Sequence, residues 1–218
     1  GFRSDLNRIG AFCKEKGVLF FVDAIQSLGV LPMDVKKDHI DFLSADGHKW
    51  MLSVEGLGGF YISKEVVDKV RPVTMGWGNV INAANFMDYD FTLQADAKKF
   101  EEGTPNTMSI HAFGAALELL LEVGIDNIEK RVMSLGDCVI GELKSRGIKI
   151  YSSTLLSERS GNISFALDKD VGRLYSFMLE NKVKLTVRDG LVRFSPHFYN
   201  NEEEILKVFD LLDSYLKK

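Results

Sequence analysis

No block of lysine and arginine in this sequence runs long enough to make a nucleic-acid or membrane-surface face. The formal net charge of −4 also argues against a phosphate-backbone binder. No apolar run approaches the roughly 18 residues that a membrane-spanning helix needs, and no secretory leader is read at the start. Cysteine is scarce. Cys13 and Cys138 lie far apart and match no metal-ligand spacing, so both are expected as reduced residues on helices of a cytoplasmic protein that holds no metal. No G-x-G-x-x-G follows a strand, so the dinucleotide fingerprint is missing. Internal repeats and low-complexity segments are absent as well.

What is present is ordinary for a globular chain: 45% hydrophobic and 27% charged residues over 218 positions, enough for one large domain or two small ones. "GFRSDLNRIGAFCKEKG" reads as a helix with Leu6, Ile9 and Phe12 on one face and Ser4 as its N-cap. "VLFFVDA" (18–24) is a short continuous apolar run, expected as a strand buried on both faces of a parallel sheet. "DFLSA" (41–45) and "GLGGFYIS" (56–63) read as two more strands, and the stretch between the first two is long enough for a crossover. "KEVVDKV" predicts a short helix ending before Pro72. Residues 71–100 are irregular, which in a compact domain suggests a functional loop.

Two strong helices follow, over 108–124 and 126–147, the second capped at Gly147. Beyond them, "IKIYSS", "GNISFAL", "KLTVRDG" and "LVRFSP" predict short strands interleaved with a helix in "VGRLYSFMLENK". A last helix over 201–218 has an Asn cap, an acidic first turn and lysines at its end. The expected organisation is an α/β part over 1–124, mainly parallel sheet with helices, and a smaller α+β domain over 125–218.

Asp23 falls at the end of the first apolar strand, with Gln26 three residues on, and Lys49 is expected to end the second strand, with His48 beside it. Open parallel sheets bind ligands outside the carboxyl ends of their strands, so the four residues are expected to share a cleft. A lysine that forms a Schiff base needs an aldehyde, and pyridoxal phosphate provides one. Its ring nitrogen stays protonated only beside an anion, which Asp23 can be. Taken singly, the Asp reads as a turn or helix cap and the Lys as a surface residue. Only the combination points to chemistry.

"FFVDAIQSLG", "DFLSADGHKWMLSVEGLGGFYIS", "FEEGTPNTMSIHAFGAALELL" and "VRFSPHFYNNEEEI" together resemble the class V aminotransferases, pyridoxal-phosphate enzymes of fold type I that include aminotransferases, cysteine desulfurases and isopenicillin-type epimerases. The resemblance implies that Lys49 is the Schiff-base lysine, Asp23 the carboxylate facing the pyridine nitrogen and Gln26 the ligand of the phenolic oxygen. It implies His48 on the phosphate side, and Thr104 reaching the phosphate of a neighbouring subunit's cofactor in a homodimer with a shared active site. Arg193 would grip the carboxylate of an amino-acid substrate, a task suited to a guanidinium fork. On the residues alone, Arg193 reads as an ordinary strand arginine. Trp77 and Phe86 are candidate substrate contacts, and Arg159 and Arg188 are expected as solvated arginines.

The chain departs from the family pattern in three places. Asp46 stands where desulfurases carry Ser, and is expected either to turn away from a phosphate or to leave the phosphate held by other groups. The desulfurases' reactive Cys, on a loop before the final arginine, has no counterpart, because "LTVRDGLVRF" reads as a tight D-G hairpin. The family's earlier segments, with the ring-stacking residue and the phosphate-binding turn, have no counterpart either, so the chain is expected to be the C-terminal portion of a longer enzyme. Transamination is the expected reaction, ahead of epimerisation, lyase or desulfurase-like chemistry. The alternative is an inactive fragment or scaffold that only dimerises.

Overall fold

The computed structural model describes residues 1–87 and 89–217, so Lys218, expected to end the last helix, lies outside the described residues, as does Asp88. The chain forms two compact units. One comprises residues 6–29 and 33–122; the other comprises residues 1–5, 30–32 and 123–218.

In the first unit, α1 (Leu6–Lys16) precedes β1 (Phe21–Asp23). Starting at Leu6, the helix begins one residue later than a Ser4 cap requires. Of the 18–24 run only the last half pairs as strand. β1 runs parallel to β2 (Phe42–Asp46), with Phe21 opposite Phe42 and Asp23 opposite Ser44. β3 (Gly58–Ile62) pairs antiparallel with the other edge of β2, from Phe42 opposite Ile62 to Asp46 opposite Gly58. The sheet therefore contains one parallel and one antiparallel pairing, in the order β1-β2-β3. A parallel partner needs a crossover, which residues 24–41 supply, whereas eleven residues between β2 and β3 suffice only for a return.

Residues 64–70 do not form an α-helix; they make a single 3-10 turn, Val67–Lys69. Val67 packs with Ile62, Val66, Phe42 and Phe100 in a small apolar cluster. The stretch 71–100 has structure of its own: 3-10 turns at Trp77–Asn79 and Ala97–Phe100, and a bridge between Val80 and Leu93. Asn79, fully buried, donates to the Lys99 carbonyl at 2.7 Å and so ties the two turns together. α2 (Thr107–Val123) closes this unit. Its N-cap is Asn106, whose Oδ1 accepts from the Ser109 amide at 3.2 Å.

In the second unit, α3 (Ile125–Ser145) buries Ile128, Val132, Leu135, Val139 and Leu143 along one stripe, at the spacing an amphipathic helix requires. It ends as expected at Gly147: the Gly147 amide donates to the Lys144 carbonyl and the Ile148 amide to the Leu143 carbonyl, both at 3.0 Å. A three-stranded antiparallel sheet, ordered β4-β6-β5, comprises β4 (Ile163–Phe165), β5 (Thr186–Arg188) and β6 (Leu191–Phe194). The strand expected in "IKIYSS" reduces to a bridge between Ile150 and Phe165. α4 (Val171–Glu180) and α5 (Glu202–Leu216) pack with α3 around Phe165, Leu174, Met178, Val192, Phe209 and Leu212, all fully buried. Phe194 lies edge-on to both Phe165 and Phe209, with centroids 5.0 and 5.7 Å apart. Alternation along β6 puts Val192 and Phe194 into this core and Arg193 on the opposite face.

Among the described residues, no single helix is long and apolar enough to cross a membrane, and no group of His, Cys, Asp and Glu is arranged to hold a metal ion.

Candidate active site

β1 ends at Asp23, and the next residue, Ala24, donates its amide to the Ser44 carbonyl at 2.8 Å, the last link to the neighbouring parallel strand. The chain then turns. The Ser27 and Leu28 amides both donate to the Ala24 carbonyl. Asp23 Oδ1 accepts from the Ile25 amide at 3.1 Å, the local turn-capping use that Asp offers at such a position. No partner of Oδ2 is seen among the described residues, and the residue is exposed. Gln26 sits exposed on the same turn.

β2 ends at Asp46, so Lys49 lies three residues past the strand rather than on its last residue. A closed turn carries it. Gly47 donates to the Leu57 carbonyl at 2.9 Å, the Ser53 amide returns to the Gly47 carbonyl at 2.9 Å, and Leu52, in the left-handed region, donates to the Lys49 carbonyl at 3.1 Å. Trp50 and Met51 are buried and anchor the turn, while Lys49 projects outward with no ion pair or hydrogen bond to its ammonium among the described residues. His48 is half-buried, its Nδ1 3.9 Å from Asp46 Oδ2.

The two turns are neighbours. Gly29, with φ of +97°, closes the turn that bears Gln26, and a Cβ there would stand 2.6 Å from the Trp50 carbonyl oxygen. Asp23, Gln26, His48 and Lys49 therefore lie at the carboxyl end of one parallel strand pair, where open α/β sheets receive ligands.

Thr104 is exposed, between the Ala97–Phe100 turn and α2. Its segment is joined to the 71–100 loop: the Gly78 amide donates to the Glu102 carbonyl at 3.0 Å, and the Trp77 indole lies against Gly103. Trp77 and Phe86 meet edge to face at 6.2 Å and are both exposed.

Arg193 belongs to the other unit. It is half-buried on the outer face of β6, opposite Thr186 on β5 and Ser164 on β4. Its Nε is buried without a hydrogen-bond partner, and its Nη2 donates to Thr186 Oγ1 at 3.4 Å. Arg159, expected in solvent, is instead 6% exposed and pairs with Asp137 at 2.6 Å; a buried guanidinium is tolerable only with such a partner. Arg188 is exposed as expected.

Cys13 lies near the end of α1, where its carbonyl accepts from Val18, ahead of β1 and so at the other end of that strand from Asp23. Cys138 sits on α3, half-buried against the core, and burial followed by the charge of Glu142 pushes its thiol pKa up, the opposite of what a nucleophile needs.

One contributor was not singled out in the sequence: Thr186, the cross-strand partner of Arg193. It was legible, because a two-residue Asp189-Gly190 loop pairs 188 with 191, 187 with 192 and 186 with 193, as observed.

A parallel strand pair with an aspartate and a lysine at its carboxyl end is the arrangement in which α/β sheets receive ligands. The sequence model of the class-V aminotransferases matches residues 1–208, and the chain belongs to that pyridoxal-phosphate-dependent family. It is 29% identical over 96% of its length to an uncharacterized aminotransferase of Bacillus subtilis, and 31% identical over 100% to a probable cysteine desulfurase of Pyrococcus abyssi. It covers 55% and 57% of those two proteins, so it spans about half the length of the curated relatives it matches. Among solved structures, the apo cysteine desulfurase of Thermococcus onnurineus NA1 superposes with a TM-score of 0.89 at 25% identity, over 98% of this chain and 56% of that one. The cystine C-S lyase C-DES, solved with its product cysteine persulfide, has the same fold at a TM-score of 0.84 and 22% identity, over 94% of this chain and 56% of that one. The fold is therefore the fold type I architecture, and aminotransferases and desulfurases both stand among its relatives.

The residues at the strand ends suit the family's cofactor. Among the described residues the Lys49 amine and Asp23 Oδ2 have no partner, which leaves the one available to an aldehyde and the other to a protonated ring nitrogen.

Proposed function

We propose that this chain carries the cofactor-anchoring lysine and the substrate-carboxylate arginine of a pyridoxal-phosphate enzyme that transaminates an amino acid. In this reading residues 1–124 are the C-terminal part of the cofactor domain and residues 125–218 the small domain. The observation that carries it is the exposed Lys49 ammonium, unpaired among the described residues, on the turn after β2, next to the turn that follows Asp23 at the end of β1. When bound, pyridoxal phosphate supplies an aldehyde for that amine and a ring that accepts electron density from the substrate's α-carbon. Lys49 Nζ takes and returns the α-proton as general base and acid. Asp23 Oδ2 keeps a proton on the ring nitrogen, Gln26 donates to the phenolic oxygen, and His48 faces the phosphate. Arg193 holds the substrate carboxylate. Thr104 reaches the phosphate of a second copy's cofactor in a homodimer.

The β5–β6 connection supports transamination over sulfur abstraction. Its loop is Asp189-Gly190 alone, too short to present a thiol, and no cysteine follows Cys138 in the sequence. A desulfurase needs a nucleophile to take the sulfur, whereas transamination needs only proton transfer by the lysine.

The test uses the full-length protein. Pyridoxal phosphate should give a visible absorption band, and borohydride should fix the cofactor's mass on the peptide containing Lys49; Lys49→Ala should abolish both. An amino-acid screen with a 2-oxo acid acceptor should then yield the exchanged amino acid. Persulfide or sulfide from cysteine, or release of ammonia and a 2-oxo acid without an acceptor, would replace transamination by desulfuration or elimination. A colourless protein that borohydride leaves unlabelled would remove the enzyme reading altogether.

A further inference from the structure

Seven arginines lie in the unit that contains β4–β6: Arg3, Arg131, Arg146, Arg159, Arg173, Arg188 and Arg193. Six have a carboxylate within 4.0 Å: Glu129, Glu202, Asp213, Asp137, Asp170 and Asp189 respectively. Among the described residues, Arg193 alone has none. It is also the only one of the seven that pairs with a hydroxyl across a strand, and its buried Nε has no acceptor. A half-buried guanidinium with no internal anion and an unspent donor is suited to an external carboxylate.

We propose that Thr186 is a positioning residue for this arginine, an inference that rests on reading Arg193 as the carboxylate-holding group. Thr186 Oγ1 takes one Nη2 hydrogen at 3.4 Å from a fixed point on the neighbouring strand. β-Branching restricts the Thr186 χ1, and the hairpin fixes its backbone opposite Arg193, so the acceptor itself is nearly immobile. One anchored end sets the plane of the guanidinium. The remaining donors are then presented in one orientation, and a carboxylate binds without first having to order the side chain. The device follows from the two-residue hairpin, because insertion or deletion of a single residue in the loop would shift Thr186 out of register with Arg193.

The test again uses the full-length protein, with acetate as the probe and the Arg193 side-chain resonances in nitrogen-15 NMR as the readout, so no turnover is needed. In the wild-type protein the Nη signals should be resolved by restricted rotation, and Nε–H should shift on titration with acetate. Thr186→Val, nearly isosteric, should average the Nη signals and weaken acetate about fivefold, roughly the loss of one modest hydrogen bond to a charged group. Thr186→Ser should restore both, and serves as the folded comparison should the valine variant misfold. If Arg193→Gln abolishes the acetate response while Thr186→Val leaves affinity and rotation unchanged, the positioning role is wrong and the carboxylate reading stands. If the Arg193 resonances ignore acetate in the wild type, the carboxylate reading itself fails.

Discussion

Gly29 lies so close to Trp50 that a methyl group on it would stand 2.6 Å from the Trp50 carbonyl oxygen, well inside contact distance. This approach locks the turn after β1 against the turn after β2. Gly29→Ala should therefore be costly twice over, through its φ of +97° and through the clash with a backbone that cannot swing away. The expected loss is roughly 2–4 kcal/mol in urea unfolding. A loss below about 1 kcal/mol would mean that the turns separate easily.

Asp23→Asn separates charge from local structure. The asparagine oxygen can still accept from the Ile25 amide, as Asp23 Oδ1 does at 3.1 Å, so stability should stay within about 0.5 kcal/mol of the parent. In the proposed function the substitution removes the anion beside the cofactor ring, and turnover should drop roughly a hundredfold or more, with the Lys49-dependent band retained. Unchanged turnover would leave Asp23 only its role in the turn.

Acid should loosen the second unit through Asp213. Its carboxylate accepts from Arg146 Nε at 2.7 Å and Nη2 at 2.8 Å, and these bonds hold its pKa below the usual carboxylate range. A group depressed on folding stabilises above its unfolded pKa, near 4, and that contribution disappears as pH falls through the folded value. Stability should thus decline below about pH 4. Arg146→Met should lower stability by about 1 kcal/mol at pH 7, given the pair's partial exposure. The guanidinium also stacks on Phe209, 4.9 Å from the ring centroid, and the methionine keeps much of that packing. Below pH 4 the variant should lose less than the parent; parallel pH curves would exclude Asp213 as the source.

Lys182 stops α4 with φ of +61°, its amide donating to the Leu179 carbonyl at 2.9 Å and the Val183 amide to the Met178 carbonyl at 2.8 Å. Glycine is the usual occupant of such a position because it has no Cβ to crowd the carbonyl. Lys182→Gly should raise the melting temperature, by roughly 0.5–1 kcal/mol in stability after glycine's added unfolded-state entropy. A fall would mean that the lysine side chain contributes more than its backbone strain costs.

The elements with strong local signals were legible in the sequence. The long helices, the D-G hairpin and the final helix with its Asn201–Glu204 capping box follow from periodicity, caps and turn chemistry, which act within a few residues. The residues at the candidate site were legible as a set, since Asp23, Gln26, His48 and Lys49 all follow short apolar runs. Where they stand was not. The displacement of Lys49 from strand end to turn depends on bonds from Gly47 to Leu57 and Ser53, and on the packing of Gly29 against Trp50.

Composition and local pattern determined the long helices, the D-G hairpin and which residues can do chemistry, because propensity and periodicity reside in the chain itself. Tertiary structure decided that β3 runs antiparallel, that Arg159 is buried on Asp137, that residues 148–153 contribute only a bridge and that Arg193, alone among the described arginines of its unit, has no carboxylate within 4.0 Å. Each is settled by a partner distant in sequence, and neither desolvation nor pairing can be read from one segment alone.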